Sequence, residues 1–199
     1  MNRKLLLLSA CVLVLTSCSL TSAKLDSYVN PSYNIKRIAR VAVMPLSNQR
    51  MNAGQAIELN RSFIQEIKKR NPNIEIIAGQ DAIATVNEKG LADRWSDFLI
   101  GYSTSGLPNT KTLSALSTAL NVDVIIQGAV LHVKQEDSDG WNYPITQVTV
   151  RYTMFGGKDG AVLWELTGEG KKQPYGYSAP PIFEAAKMAH DKILEQLPF

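Results

Sequence analysis

Histidine and cysteine carry much of the nucleophilic, acid–base and metal chemistry of proteins, and this chain of 199 residues has two of each. His132 and His190 lie in separate hydrophobic segments, with no serine or cysteine motif of a hydrolase beside them. A metal site would need several converging His, Cys, Asp or Glu ligands, and no recognisable ligand spacing occurs. We therefore expect no catalytic residue, no metal site and no cofactor, and we interpret both histidines as solvated or at the core edge.

Two further segments have some features of ion-binding loops. The run 136–140 (Glu-Asp-Ser-Asp-Gly) is similar to part of a calcium loop, but the remaining oxygen ligands and the closing glutamate of such a loop are missing. The glycine pair at 156–157 lacks the spacing of a phosphate-binding loop. We interpret the acidic run as a solvated hairpin loop and expect the protein not to be an enzyme.

The amino terminus has the pattern of an export signal. Two basic residues precede an apolar run at 5–15 that only Ser9 interrupts. These 11 residues are too few to span a bilayer as a helix, which takes about 20. They fit the hydrophobic region of a removable signal peptide.

Leu15-Thr16-Ser17-Cys18 is similar to the lipobox of bacterial lipoproteins. This resemblance implies that residues 1–17 are removed and that Cys18 carries lipid, including palmitate. Cleavage would also remove Cys11, so the mature chain could form no internal disulfide. Alternatively, the segment could be an ordinary signal peptide, in which Cys18 is only a small residue. Ser19 stands where an aspartate would retain a lipoprotein in the inner membrane, so the resemblance favours the periplasmic face of the outer membrane.

Two predicted loops carry aromatic residues that could form an interface. Trp141 and Tyr143 follow the acidic run, and Tyr175 and Tyr177 lie in the Gly- and Pro-rich segment 171–181. Amphipathic aromatic side chains are enriched at protein interfaces, so these four are the candidate partner-binding residues. In the alternative interpretation, the rings cover a sheet edge or cap the core.

Charge and length limit the function further. Without residues 1–17 the chain keeps 19 basic and 18 acidic residues, because Arg3 and Lys4 are lost. This near-neutral balance and the lack of a long basic run argue against nucleic-acid binding. The remaining 182 residues fit one domain with its own core.

Hydrophobic periodicity and turn signals predict the elements that would position these residues. Residues 18–35 are polar and contain Pro31, so we expect a lipidated cysteine followed by a flexible tether. Residues 36–199 should form one α/β domain, in which helices pack against a mixed five-stranded sheet. The early βα crossovers imply parallel strands, and the later hairpins imply an antiparallel meander. The predicted strands are 38–44, 74–78, 122–134, 145–155 and 161–167, and the predicted helices are 53–70, 80–88, 91–100, 110–120 and 182–196.

Three short segments at 40–46, 113–130 and 159–164 resemble motifs of a group of envelope proteins. The group includes the amino-terminal domain of TolB, the curli lipoprotein CsgG and the synthase activator LpoB. The resemblance covers about residues 36–196 and implies this fold and an envelope address. This chain differs from members of the group in two features. Its tether is shorter than the linker of LpoB, and no strands remain for the transmembrane hairpins of CsgG.

The combined interpretation is a non-enzymatic docking or assembly lipoprotein. Its partners would be the membrane, which it would reach through lipid on Cys18, and one or more envelope proteins. Two alternatives stay open. The protein could form a homo-oligomeric ring in a secretion or transport system, or it could be a ligand-binding domain.

Overall fold

Six strands form one mixed sheet in the computed structural model, which describes residues 20–48 and 50–199. The order across the sheet is β1-β6-β5-β4-β2-β3. The neighbours β1 and β6, β6 and β5, and β5 and β4 are antiparallel. The strand β2 is parallel to both of its neighbours, β4 and β3. The predicted α/β class and mixed sheet are therefore confirmed. The strands are β1 Leu20–Val29, β2 Arg40–Val43, β3 Glu75–Ala78, β4 Val124–Glu136, β5 Ile145–Gly156 and β6 Val162–Gln173.

Five helices cover the two faces of the sheet. Two of them, α1 and α4, have the predicted bounds, because asparagine side chains at 52 and 109 cap their amino termini. The third helix continues past its predicted end until Gly106, whose φ of 68° ends it in the left-handed conformation. The helices are α1 Ala53–Arg70, α2 Gly79–Glu88, α3 Ala92–Ser105, α4 Thr110–Leu120 and α5 Ile182–Glu195.

The core consists of two clusters, one on each side of the sheet. Helices α1 and α5 bury the first cluster, which includes Phe63, Tyr152 and Trp164. Helices α2, α3 and α4 bury the second, which includes Trp95 and Phe155. Trp95 and Trp164 are both buried in these clusters, at 7% and 0% exposure. Within the described residues, no helix has the length and hydropathy needed to cross a membrane.

The sixth strand corrects the predicted count of five. Residues 20–29, assigned above to the flexible tether, form β1 and pair antiparallel with β6, from Leu20 beside Gln173 to Val29 beside Trp164. Among residues 21–29 only Leu25 is partly buried and packs on the core. An edge strand that is so exposed has no hydrophobic alternation for sequence analysis to detect.

The strand β6 is longer than predicted, because it continues through Gly168 and Gly170 to Gln173. Both glycines lie beneath α5, and a Cβ on Gly170 would come within 2.1 Å of the Ala185 carbonyl oxygen. They mark a close approach of two backbones and not the end of a strand.

Asp123, which lies in the motif segment 113–130, has a structural role. Its Oδ2 accepts the backbone N–H groups of Ala39 at 2.8 Å and Arg40 at 2.9 Å. This contact fixes the start of β2 beside β4, so the motif specifies strand alignment.

Candidate functional site

Two loops meet at one end of the sheet, and together we call them the aromatic tip. One is the hairpin loop 137–144 between β4 and β5, and the other is the loop 174–181 between β6 and α5. The carbonyl oxygen of Pro180 accepts hydrogen bonds from Gln135 Nε2 at 2.8 Å and Thr146 Oγ1 at 2.6 Å. The second loop is therefore attached to both strands of the hairpin.

The loops also bond directly to each other. The Ser138 N–H donates to the Tyr177 carbonyl oxygen at 2.8 Å, and the Ala179 N–H donates to Asp137 Oδ1 at 2.7 Å. Four bonds thus hold the tip together, although its two halves are more than thirty residues apart in sequence.

All four aromatic residues predicted as an interface lie on this tip. Their exposed fractions are 95% for Trp141, 52% for Tyr143, 60% for Tyr175 and 81% for Tyr177. The Tyr143 and Tyr175 rings touch edge to face across the loops, with centroids 5.1 Å apart. None of the four belongs to a core cluster. The alternative that these rings cap the core is therefore wrong.

The acidic run shapes the hairpin loop. Asp139 Oδ1 accepts the backbone N–H groups of Trp141 at 2.9 Å and Asn142 at 2.8 Å, and its Oδ2 accepts the Asn142 side chain at 3.0 Å. These hydrogen bonds lower the pKa of Asp139 below its usual value, and the bond from the Asn142 backbone N–H has the largest effect. Within the described residues, no three His, Cys, Asp or Glu side chains converge. Through its bonds to the Trp141 and Asn142 N–H groups, the Asp139 carboxylate shapes the loop that carries Trp141.

The amino-terminal end of β1 lies at the same end of the sheet as the tip. The registers place Thr21, Lys172, Thr146 and Gln135 in one row across four strands. With strands about 4.8 Å apart, Thr21 lies about 14 Å from Gln135. Cys18, the predicted lipidation site, lies outside the described residues, but two residues of chain reach at most about 7 Å. Leu20, the first residue of β1, is two positions after Cys18 in the sequence.

The two histidines have different surroundings. His132 is exposed on β4, as expected. His190 was expected at the core edge or in solvent, but it is completely buried because it lies on the inward face of α5. Its Nε2 lies 2.7 Å from Ser62 Oγ, and its Nδ1 lies 3.1 Å from the Tyr152 hydroxyl.

The proton positions around His190 follow from these contacts. Because Ser62 Oγ donates to the Leu59 carbonyl at 3.0 Å, it accepts a hydrogen bond from His190 Nε2–H, and the Tyr152 hydroxyl donates to Nδ1. Desolvation lowers the pKa of His190 to about 4, so the ring is neutral. The neutral ring joins α5 to Ser62 of α1 and Tyr152 of β5.

Sequence analysis did not predict a polar cluster around Glu165. Its Oε2 accepts hydrogen bonds from Thr153 Oγ1 at 2.9 Å and the Tyr102 hydroxyl at 3.0 Å, and Arg151 Nε lies 3.7 Å away. The Arg151 guanidinium also lies 5.2 Å from the Tyr102 ring centroid. Burial, and then the Glu165 charge, raise the pKa of Tyr102. The cluster attaches α3 to β5 and β6, and its members have no shared sequence signal.

No protein-family model and no curated protein sequence matches this chain. Solved structures similar to it include the PelC dodecamer from Paraburkholderia phytofirmans, at 17% identity and a TM-score of 0.47, over 87% of this chain and 95% of that one. Lipoprotein GNA1162 from Neisseria meningitidis is 13% identical with a TM-score of 0.43, over 80% of this chain and 97% of that one.

The C-terminal domain of LpoB from Escherichia coli is 12% identical with a TM-score of 0.37, over 67% of this chain and 82% of that one. LpoB, which the sequence motifs resemble, is thus among the similar structures, whereas the resemblance to TolB and CsgG stays a prediction. At these identities and TM-scores, the likeness carries no argument about the activity, partners or assembly of this chain.

Proposed function

We propose that this protein is a non-enzymatic lipoprotein of the periplasmic face of the outer membrane. It docks an envelope protein complex while its aromatic tip rests on the membrane surface. The observation that supports this proposal most is the row of Thr21, Lys172, Thr146 and Gln135. It places the start of β1, which follows the predicted lipobox in the sequence, at the end of the sheet that carries four exposed aromatic rings.

The short distance from Cys18 to β1 restricts where the domain can sit. A lipid on Cys18 would leave about 7 Å of chain before the first paired residue. A single acyl chain binds a membrane only marginally, whereas several hold firmly. A lipoprotein anchor would therefore hold the tip end of the sheet close to the headgroups.

The chemistry of the tip suits that position. Trp and Tyr side chains are enriched at membrane interfaces, because one side of the ring is apolar and the other can bond to water or headgroups. Transfer of one large apolar side chain fully out of water contributes about 1.5–3 kcal/mol. Trp141, which is almost fully exposed, has the most to gain.

A tip on the membrane leaves another surface for a protein partner. The face of β5 and β6 opposite α5 presents polar, partly exposed side chains, among them Thr149, Arg151 and Glu169. Non-obligate protein interfaces are about as polar as the rest of a protein surface. Docking on this face would keep the partner beside the membrane.

Brominated lipids provide the test of the membrane-facing tip. The full-length lipoprotein is reconstituted into vesicles whose phospholipids carry bromine near the headgroup end of the acyl chains. Because Trp95 and Trp164 are buried in the core, Trp141 should supply the quenchable emission. We expect strong quenching of the wild-type protein and almost none of a Trp141→Phe variant.

The controls separate a membrane-facing tip from a partner-binding tip. Tyr28→Ala removes an exposed aromatic ring from β1, eight pairs away from the Leu20 end, and should leave the quenching unchanged. Equal emission in brominated and ordinary vesicles would place the tip away from the lipid. A cross-linking pulldown from membranes with the four aromatic residues changed to Ala would then test the tip as a protein interface.

A second candidate function is a component of a ring. The strands at the two edges of the sheet are β1 and β3, at opposite ends of the strand order. Two different edges on one protomer allow head-to-tail pairing, which closes into a ring when the rotation permits. Under the docking proposal, chemical cross-linking in membranes is expected to join this protein mainly to other proteins. A ladder of cross-linked copies of this chain, with a defined maximum size, would favour the ring.

A further inference from the structure

A cavity of about 320 Å³ lies between α1 and the junction of β3 with α2. Pro45, shortly after β2, and Ala78 and Gly79, at the end of β3, form one wall. The cavity is therefore at the carboxyl ends of the parallel strands β2 and β3. In open α/β sheets this crevice is the usual place for a ligand.

The α1 wall of the cavity is largely apolar. Ala56, Ile57 and Ile64 line it, and Ile57 is half-exposed although it is a branched aliphatic residue. This side of the cavity offers contact to an aliphatic chain and few groups that could bond to a polar one. Its size is within the range of small-molecule sites, about 300–1,000 Å³.

One buried polar group in the lining has no partner. Asn60 also lines the cavity and is only 7% exposed, and within the described residues its side-chain carbonyl position makes no hydrogen bond. A buried polar atom without a partner is costly, and in a native structure it calls for an explanation such as a ligand. Since the two ends of an amide can exchange places, Asn60 could offer either a donor or an acceptor.

The polar end of the cavity joins the amino terminus of α2 and an arginine, with Asp81 also in the first turn of that helix. Helix α2 spans ten residues and starts at the cavity, and no side chain caps its amino terminus. Its free N–H groups and its dipole favour an anion. Arg61 lines the same cavity, and among the residues that the structure describes, its guanidinium has no carboxylate within 4.0 Å.

We propose that this cavity binds an amphiphile with one anionic head and one aliphatic chain. The head, a carboxylate or a phosphate monoester, lies between the α2 amino terminus and Arg61 and bonds to the amide of Asn60. The chain lies along Ile57 and Ile64. A peptide would bring backbone amides against this apolar wall, where they would lose bonds to water, so an aliphatic ligand fits better.

Photolabelling of the full-length protein in its native membranes tests the site. The probe is octanoate with a diazirine at the end of its chain, and mass spectrometry identifies the labelled residues. We expect labelling in α1 and at the β3–α2 junction. Octanoate and octyl phosphate should both compete, and their relative strength tells a carboxylate head from a phosphate head, whereas octylamine should not compete.

Two variants and a control make the result decisive. Arg61→Gln should reduce labelling about tenfold, as expected for the loss of one charged contact, and Asn60→Leu should reduce it by filling the polar end. Arg94→Gln, an exposed arginine on α3 outside this cavity, should not reduce it. Equal labelling of all variants, or equal competition by octylamine, would overturn the proposal. A thermal melt of each variant identifies loss of folding.

Discussion

Replacement of Gly170 by alanine is expected to lower the free energy of unfolding by about 3 kcal/mol. The added Cβ would lie 2.1 Å from the Ala185 carbonyl oxygen and 2.9 Å from the Ala189 backbone nitrogen, so α5 would have to move away from the sheet. Urea denaturation of the detergent-solubilised protein, followed by tryptophan fluorescence, measures the loss. In thermal unfolding, a change of this size corresponds to about 6–12 °C for a domain of this length.

Gly101→Ala is the matched control. Gly101 is an exposed residue within α3, and nothing lies within 4 Å of the position of its Cβ. Because alanine is the better helix former, this variant should be more stable than the wild type by up to about 1 kcal/mol. If Gly170→Ala unfolded at the same urea concentration as the wild type, α5 could not lie on β6 as described.

Acidification is expected to remove about 3 kcal/mol of stability through His190 alone. Burial, the main cause, lowers the pKa of this histidine from 6.5 to about 4. The unfolded chain therefore binds the proton more tightly than the folded one. The contribution of His190 is complete above pH 6.5, falls as the pH drops through the interval from 6.5 to 4, and is fully lost below about pH 4.

The chain supplies its own control for this pH dependence. The variant His190→Gln can keep a hydrogen bond to Ser62 or Tyr152 without a titrating ring, so its urea midpoint should change less between pH 6.5 and pH 5 than that of the wild type. His132→Gln alters an exposed histidine and should keep the slope of the wild type. Identical slopes for wild type and His190→Gln would show that other groups cause the acid sensitivity.

The two structural predictions also bear on the tip. The close packing of α5 on Gly168 and Gly170 holds the end of β6, and the loop 174–181 leaves from that end. Pro180 bonds to Gln135 and Thr146 just before α5 begins. A displaced α5 would therefore also move Tyr175 and Tyr177, so Gly170→Ala should weaken the membrane contact proposed for the tip.

Local signals in the sequence were sufficient for most elements of the domain. The bounds of α1 and α4 match because asparagine caps and periodic apolar residues lie close together in the chain. The turn residues at 156–160 and the alternation in β5 likewise predict the hairpin between β5 and β6. The lipobox assignment of Cys18 also depends only on neighbouring residues, and it stays a prediction because residues 1–19 are outside the described part.

Glycines in β6 show where a local signal has two meanings. The predicted strand 161–167 stops just before Gly168, and glycine weakens strands in general. In the folded protein the same residue allows the α5 backbone to approach, with the Ala189 carbonyl oxygen 2.4 Å from where a Cβ would lie. Only the position of α5 distinguishes the two meanings, and that position depends on residues more than fifteen positions away.

The sequence by itself determined the α/β class, most of the helices and strands, and which aromatic residues lie in loops, because each of these depends on contacts within a few residues. Tertiary structure alone decided that 20–29 is an edge strand, that two distant loops form one tip, and that Asn60 and Arg61 meet the start of α2. The physical reason is that strand pairing and hydrogen bonds between loops join residues far apart in the chain, and an exposed edge strand has no hydrophobic pattern that reveals its partner.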